Sequence, residues 1–162
     1  FSSENEHFKL KSGELIPIEI YVQKLVNDKK EYIVTTFKDL SIKKELESQQ
    51  NMLKVALTSC SDSIVITNKE ANVLWVNPAF EKLTGYEFSD VEGKNHREFA
   101  KSNKQSNEFY KDMWNTILNK EPWKGELINK RKDKSLYHEQ LSITPILDYK
   151  NNIFIISFGI FR

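Results

Sequence analysis

The chain has little of what marks several large classes of protein. Its 162 residues include one cysteine, Cys60, so no internal disulfide can form and no cysteine-based metal-ligand spacing exists. Lysine and arginine number 24 against 23 aspartates and glutamates, a balance that gives no electrostatic case for nucleic acid or for an anionic membrane. The longest apolar run, around Ile153 to Phe158, is far too short to span a bilayer. We therefore expect a cytoplasmic protein without a nucleic-acid partner and without direct membrane contact.

Glycine is also scarce, and this argues against several kinds of enzyme. Five glycines in all leave little room for a loop that cradles phosphate. No Ser/His/Asp or Cys/His set has a recognisable local pattern, and Asp133 with Glu139 is a carboxylate pair without a known geometry. The sequence predicts a chain that is not itself an enzyme, with any catalysis belonging to a segment outside it.

What the chain does contain is an internal repeat. One constant displacement along the sequence aligns the first forty residues with the last forty: Lys9 with Lys130, Lys11 with Lys132, Leu15 with Leu136, Ile20 with Leu141, Val22 with Ile143, Val34 with Ile155 and Phe37 with Phe158. Each copy predicts a short basic strand, a turn, a long strand, a second turn and a last strand. A repeat of this length indicates whole domains rather than solenoid units. Only the second copy is preceded by enough chain to complete a domain.

The segment between the copies predicts a linker helix from about residue 42 to residue 58. Asp39 or Ser41 can cap its first free amides. A narrow apolar stripe at near-heptad spacing consists of Ile42, Leu46, Gln49, Leu53 and Leu57. Such a stripe suits a two-helix seam in a homodimer, whereas the alternative is a helix that lies against its own domain. In either case a stiff connector joins the two copies.

The second copy and the chain before it predict an ordered series of elements. Two short strands are expected at 64–67 and 73–76, and Asn77 then caps a helix that has Pro78 at its first position and ends at Gly85. A small helix near Val91 to Phe99 and a longer one over 107–118 follow. Three antiparallel strands, at 123–131, 136–147 and 153–161, close the domain.

These blocks carry a resemblance to a known family. The stretches "ITNKEANVLWVNPAFEKLTGY", "GKN", "FYKDMW", "EPWKGELINKRKDKSLYHEQLSITPI" and "ISFGIFR" resemble a PAS domain with its PAC segment, over about residues 58–162. Residues 1–41 resemble the C-terminal (PAC) part of a preceding PAS domain, which ends in the family's Asp-hydrophobic-Ser/Thr linker motif. The expected domains are thus 1–41, a helical linker over 42–58, and a PAS domain over 59–162.

The resemblance implies both a fold and a role. The fold is α+β: a five-stranded antiparallel sheet with helices on one face enclosing a ligand cavity, preceded by a β-hairpin fragment of the prior domain and the linker helix. The implied role is a sensory module of a bacterial histidine kinase or cyclic-dinucleotide enzyme, which senses a small ligand or redox state and transmits it through flanking helices. The alternative is a cofactor-free dimerisation or spacer domain. A homodimer through the linker helix or the sheet is expected.

Strand parity gives a separate indication of a site. Trp123, Leu127 and Asn129 share one face of their strand, and Glu139 shares a face with apolar residues of the next strand. Asn129 and Glu139 should therefore point inward, where a polar group is costly unless it is hydrogen-bonded. The first copy has Ile18 at the position of Glu139, so the fold does not demand a polar group there. The two side chains could contact a polar heterocycle, or they could bind each other, a backbone group or a water.

Within the family, the closest resemblance is to redox-sensing flavin PAS domains, which carry paired tryptophans at the positions of Trp114 and Trp123 and bind FAD. The "GKN" segment adds Asn95, and Tyr110 and Arg131 are candidates for the outer part of a nucleotide. The alternative for the tryptophans is ordinary core packing. FAD is thus the expected cofactor, and no cofactor at all is the alternative.

His96 stands where light-sensing flavin PAS domains carry a reactive cysteine in a similar "GxNCRF" block. Histidine cannot form that thiol adduct. His96 could instead tune a flavin or ligate haem iron, or be a partly exposed helix residue. Haem-binding relatives usually place their proximal histidine on the longer helix, where this chain has none.

Overall fold

The structure, a computed structural model, describes residues 2–28 and 30–161 and divides the chain into two compact units, Phe1–Lys54 and Val55–Arg162. The first unit contains three antiparallel strands in the order β1-β2-β3: β1 (Ser2–Lys9), β2 (Leu15–Asn27) and β3 (Lys30–Asp39). Gly13, at φ 91°, closes the first turn in a conformation that favours glycine. The expected hairpin fragment is therefore a three-stranded sheet.

The register of this sheet matches the second copy in part and corrects the alignment in part. Phe8 pairs with Ile16 as Asn129 pairs with Tyr137, in agreement with the repeat. On the last strand, however, Phe37 pairs with Ile20 as Gly159 pairs with Leu141. Phe37 therefore corresponds to Gly159 rather than to Phe158, and Ile33 rather than Val34 corresponds to Ile155. The reason is that the second turn is one residue shorter in the first copy.

The predicted linker helix is present as α1 (Ser41–Ser59), and the Asp39 carboxylate accepts a hydrogen bond of 2.8 Å from the Ser41 amide. None of its nineteen residues, all of which the structure describes, is buried. The apolar stripe, including Ile42 and Leu53, is exposed. The two-helix seam and its alternative, a helix that lies against its own domain, both stay predictions.

The second unit is built on a five-stranded antiparallel sheet in the order β5-β4-β8-β7-β6, which confirms the expected sheet and the α+β class. Its elements are β4 (Ser63–Asn68), β5 (Val73–Val76), α2 (Pro78–Thr84), α3 (Phe88–Val91), α4 (His96–Phe99), α5 (Asn107–Leu118), β6 (Trp123–Lys130), β7 (Leu136–Leu147) and β8 (Ile153–Phe161). Strand β7 alternates regularly from Leu136 to Ile143, where every second side chain is buried, as period-two patterning predicts. In β6 the buried side chains, Trp123, Leu127 and Asn129, all have the same parity.

One helix prediction was wrong. The expected helix near Val91 to Phe99 is two short helices, α3 and α4. Gly93, at φ 70°, ends the helical conformation between them. The chain here pairs with β5 and the residue before it, because the Val73 amide donates a hydrogen bond to the Lys94 carbonyl and Asn95 forms a β-bridge with Asn72.

A single buried asparagine holds the start of this unit together. Asn77 is fully buried and caps α2 as predicted, since its Oδ1 accepts a hydrogen bond of 3.0 Å from the Phe80 amide. The same Oδ1 accepts a second bond of 2.9 Å from the Ile64 amide. Its Nδ2 faces three carbonyl oxygens around the end of α1, those of Asp62 at 2.9 Å and of Leu57 and Cys60 at 3.4 Å. Asn77 therefore joins α1, β4 and α2.

Two buried apolar clusters form the core of the second unit. One lies among β4, β5, α2, α3 and α4 and comprises Val65, Val73, Val76, Phe80, Val91, Phe99 and Ala100. The other lies between α5 and the strands and comprises Met113, Ile117, Trp123, Leu127, Leu141, Ile143 and Ile155. Among the described residues, no helix is long and apolar enough to cross a membrane.

Candidate functional site

The second unit contains a cavity of about 500 Å³. Its apolar walls come from the inner face of the sheet, with Leu127 and Ile155, and from α5, with Met113, Trp114 and Ile117. This volume lies within the range that small-molecule sites occupy, and such sites typically combine apolar walls with a few placed polar groups.

The polar groups are the two that strand parity predicted. Asn129 and Glu139 are both buried and both line the cavity, and the Asn129 Nδ2 donates a hydrogen bond of 2.9 Å to the Glu139 Oε2. The prediction that they point inward is confirmed. Of the alternatives left open, binding to each other is observed. Tyr137, which lies opposite Asn129 on the paired strand, is also buried and lines the cavity.

Glycine on the neighbouring strand makes room for the carboxylate. A Cβ atom built on Gly159 would lie 1.8 Å from the Glu139 Oε1 and 2.7 Å from its Cδ. Any larger residue at 159 must therefore displace the Glu139 side chain. Glu139 and Gly159 form one packing unit across β7 and β8.

Burial changes the acid strength of Glu139. Desolvation raises the pKa of this carboxyl from 4.5 to about 7, although the hydrogen bond from Asn129 acts in the opposite direction. Its charge therefore changes close to neutral pH. Tyr137 stays protonated, because burial and the nearby Glu139 both raise the pKa of its hydroxyl.

Asn95, the last residue of the "GKN" segment, and His96, which follows it, also lie on the cavity wall. His96 is half-buried, its ring centroid lies 5.1 Å from that of Phe99, and burial lowers the pKa of its imidazole to about 4. His96 is thus neutral at physiological pH. Asn95 lines the cavity too, but its amide is engaged locally: Nδ2 donates to the Glu70 carbonyl at 2.6 Å, and Oδ1 accepts from the Arg97 amide at 3.3 Å.

The two predicted tryptophans are in different environments. Trp114 lies on the cavity wall. Trp123 is buried outside the cavity lining, with its ring 5.6 Å from that of Phe109 in an edge-to-face contact. It also covers Gly125, where an added Cβ would lie 2.4 Å from the indole. Trp123 can therefore influence a ligand only through the packing of the wall.

The two candidates for a nucleotide's outer part also differ. Arg131 lies outside the cavity lining: its Nε donates to the Leu83 carbonyl at 2.8 Å, and its guanidinium stacks 4.8 Å from the Tyr137 ring centroid. Tyr110 does line the cavity, and the Lys101 ammonium lies 5.0 Å from its ring centroid. Contact with a nucleotide stays a prediction for both.

Sequence reasoning missed the basic residues that line the cavity. Lys69, Arg97 and Lys101 bring three cations to it, against the carboxyls of Glu70 and Glu139. Lys69 and Glu70 form an exposed ion pair of 3.6 Å, and the lining as a whole has a surplus of positive charge. No local motif indicates this set, because the turn after β4, α4 and the chain after α4 contribute its members from separate segments.

The model of the PAS domain family matches residues 61–162. The chain belongs to this family. The match covers the five-stranded sheet, all four short and long helices of the second unit, and every residue of the cavity lining.

Several proteins to which the chain is similar are signalling or regulatory proteins by name. The chain is 41% identical over 88 residues to the nitrogen fixation regulatory protein of Klebsiella oxytoca, covering 54% of this chain and 18% of that protein. It is 32% identical over 106 residues to the bacterioopsin transcriptional activator of Halobacterium salinarum, covering 64% and 16%. It is 28% identical over 128 residues to the hybrid signal transduction histidine kinase L of Dictyostelium discoideum, covering 78% and 7%. The chain thus spans only a small part of each relative.

Solved structures support the PAS fold. The PAS domain of an HTR-like protein from Haloarcula marismortui superposes with a TM-score of 0.64 at 19% identity, covering 75% of this chain and 98% of that one. An RNA-binding Light-Oxygen-Voltage receptor gives 0.66 at 20% identity, covering 72% and 34%. At these identities the similarity shows the fold alone.

Proposed function

We propose that the PAS domain over residues 59–162 is a sensory module of a multidomain signalling protein, in which a small ligand in the cavity sets the conformation passed on to α1. The observation that carries the proposal is the buried Asn129–Glu139 pair on the wall of a 500 Å³ cavity. A core built only for stability gains nothing from a desolvated carboxyl with a raised pKa.

The lining suggests a ligand with two chemically different parts. Asn129 and Glu139 offer a donor and an acceptor to the polar edge of a heterocycle, and Trp114 and Met113 offer flat or adaptable apolar contacts. Lys69, Arg97 and Lys101 suit an anionic part such as a phosphate.

FAD is the cofactor that this lining fits best. Asn129 and Glu139 would hold the polar edge of its ring system, Trp114 would lie beside the ring, and the three cations would receive the phosphates. FAD would supply a redox-active ring. The names of two structural neighbours, a Light-Oxygen-Voltage receptor and a LOV domain photoreceptor, support a sensory function for a cavity of this fold. His96 at the "GKN" segment excludes a cysteine adduct, so the signal would be redox state rather than an adduct-forming light reaction.

Asn77 offers a path from the cavity to the helix. Strand β4 contributes Ser63, Val65 and Thr67 to the cavity wall, and the amide of Ile64, which lies between Ser63 and Val65, donates a hydrogen bond to Asn77. The other end of the Asn77 amide faces the Leu57 carbonyl in α1. A ligand that shifts β4 would therefore change the hydrogen bonds at the C-terminal end of α1.

The wider context belongs to the same proposal. The exposed stripe on α1 would pair with its counterpart in a homodimer, in the cytoplasm. The output would be a histidine kinase or a cyclic-dinucleotide enzyme outside this chain.

An absorption spectrum of the purified chain, before and after incubation with FAD, tests the proposal. We expect flavin bands that survive gel filtration, and weaker retention in Asn129→Ala and Glu139→Ala. Glu126→Ala is the matched control, because Glu126 is an exposed carboxylate on the opposite face of β6. Equal retention in the three variants would remove the polar pair from the site, and a Soret band would point to haem instead.

A cofactor-free spacer domain is the second candidate function. The observation that favours it is that Asn129 and Glu139 satisfy each other, so that no buried side-chain polar atom among the described residues lacks a partner. A chain that stays colourless after incubation with FAD, and whose thermal stability FAD does not change, would favour the spacer or a small colourless ligand.

A further inference from the structure

The sheet of the first unit has an unpaired edge and an exposed apolar face. Among the described residues, β3 pairs only with β2. Phe8, Ile33 and Phe37 are 48%, 76% and 55% exposed, and the rings of Phe8 and Phe37 lie 6.0 Å apart across β2. Exposed apolar surface of this kind beside a free strand edge marks an interaction surface or an aggregation hazard.

The second unit shows what the equivalent surface is built to receive. By register, β1, β2 and β3 correspond to β6, β7 and β8. In the second unit, the edge of β8 that corresponds to the unpaired edge of β3 is paired with β4, from Ser63 to Asn68. The equivalent face, with Ile155 and Gly159, lies against a cavity to which α2, α4 and α5 also contribute walls.

A second copy of β3 is a poor occupant of this edge. In a symmetric antiparallel pair of two β3 strands, opposite residues must lie on the same face of the sheet, so one residue of each strand sits on the two-fold axis. If that residue is Val34, Lys30 lies opposite Lys38, and if it is Thr35, Glu31 lies opposite Asp39. Both of these registers, which centre the pair on the middle of β3, place like charges opposite each other and so destabilise the pairing.

The face itself specifies an apolar occupant. The positions equivalent to Asn129, Glu139 and Gly159 hold Phe8, Ile18 and Phe37. The polar cluster and the glycine that makes room for it are thus both absent from the first unit, and two phenyl rings occupy the corresponding space. A partner that covers this face must supply apolar side chains rather than side chains that form hydrogen bonds.

We propose that the β3 edge and this face form a docking surface for a strand–strand–helix segment of the pattern of residues 61–122, which completes a second domain of the same fold with an apolar interior. The occupant's first strand would pair antiparallel with β3, and its helices would cover Phe8 and Phe37.

A chimera tests this directly, because the register shows where the halves join. A copy of residues 58–122 is fused before Ser2 of the whole chain, so that β1 follows it as β6 follows the original. We expect amide hydrogen exchange in β3 to slow by tenfold or more, and binding of an apolar fluorescent dye to fall. The same chimera with Val65→Pro in the added copy is the control, since proline breaks the strand that pairs with β3.

Packing mismatch is handled by a second chimera. It carries Phe8→Asn, Ile18→Glu and Phe37→Gly, which give the first unit the residues that the copied segment meets in the second unit. Unchanged β3 exchange in both chimeras would overturn the proposal. So would sedimentation of the unmodified chain as a dimer with β3 already protected, because the occupant would then be a second copy.

Discussion

Glu139→Gln should make the second unit more stable at alkaline pH and change it little at acid pH. The folded state raises the pKa of Glu139 from 4.5 to about 7, so the folded protein holds this proton more tightly than the unfolded chain does. The contribution of Glu139 to stability is therefore greatest below pH 4.5 and is lost as pH rises through 7, where ionisation of the buried carboxyl costs the folded state about 3 kcal/mol. Glutamine cannot ionise, and its carbonyl oxygen can still accept the Asn129 hydrogen bond.

Urea unfolding followed by tryptophan fluorescence measures this effect in the correct unit, because all three tryptophans, Trp75, Trp114 and Trp123, lie in the second unit. We expect the gain in unfolding free energy from Glu139→Gln to be about 3 kcal/mol larger at pH 8.5 than at pH 4.5. Glu126→Gln removes an exposed carboxylate and should give no such difference. An equal effect of Glu139→Gln at the two pH values would refute the desolvation argument.

Three further predictions concern one buried residue of the second unit, Asn77, and two residues of the cavity wall, Gly159 and His96. Asn77→Ala should lower the unfolding free energy by about 2–4 kcal/mol, because it removes the helix cap and leaves buried backbone amides without an acceptor. Asn115→Ala, at an exposed position, should cost little, and equal losses for the two variants in urea unfolding would contradict the prediction. Gly159→Ala should lower the unfolding free energy by about 1–3 kcal/mol, because the added methyl group overpacks against Glu139. In a Glu139→Ala background the same change should cost much less, and strictly additive free energies in this double-mutant cycle would show that the two residues do not contact each other. His96→Gln should reduce the loss of stability as pH falls from 6.5 to about 4, because the folded state lowers the pKa of the His96 imidazole to about 4 and the unfolded chain therefore binds this proton more tightly. If His96→Gln leaves the pH dependence of stability in this range unchanged, the imidazole is solvated in the folded protein.

Much of the second unit was predictable because its patterns are strongly periodic. The apolar face of α5 gave both ends of that helix, and period-two alternation placed Asn129 and Glu139 inward. The break at Gly93 was missed because the local pattern remains helical on both sides of it, and only pairing with β5 decides the path.

Two features of the site could not be read from the chain. Strand parity put Trp123 on the inner face, but the indole packs against Phe109 rather than on the cavity wall, a choice between two inner neighbours that parity does not make. The register of β3 depended on the length of one turn. Because that turn is one residue shorter in the first copy, Phe37 corresponds to Gly159 rather than to Phe158. Phe37 therefore lies on the opposite face of the sheet from the one that the sequence alignment predicts.

The contact between Gly159 and Glu139 also constrains how such a domain can change over evolutionary time. With a Cβ at 159 only 1.8 Å from the Glu139 carboxylate, a chain that acquires the carboxyl first passes through a clashing intermediate. The glycine must come first, or both must change together. Among related sequences, residues at the two positions should therefore covary, with bulky residues at 159 accompanying small or flexible ones at 139. Within this one chain, the first unit already holds Ile18 and Phe37 at the matching positions, so the two copies have diverged at both members of the pair.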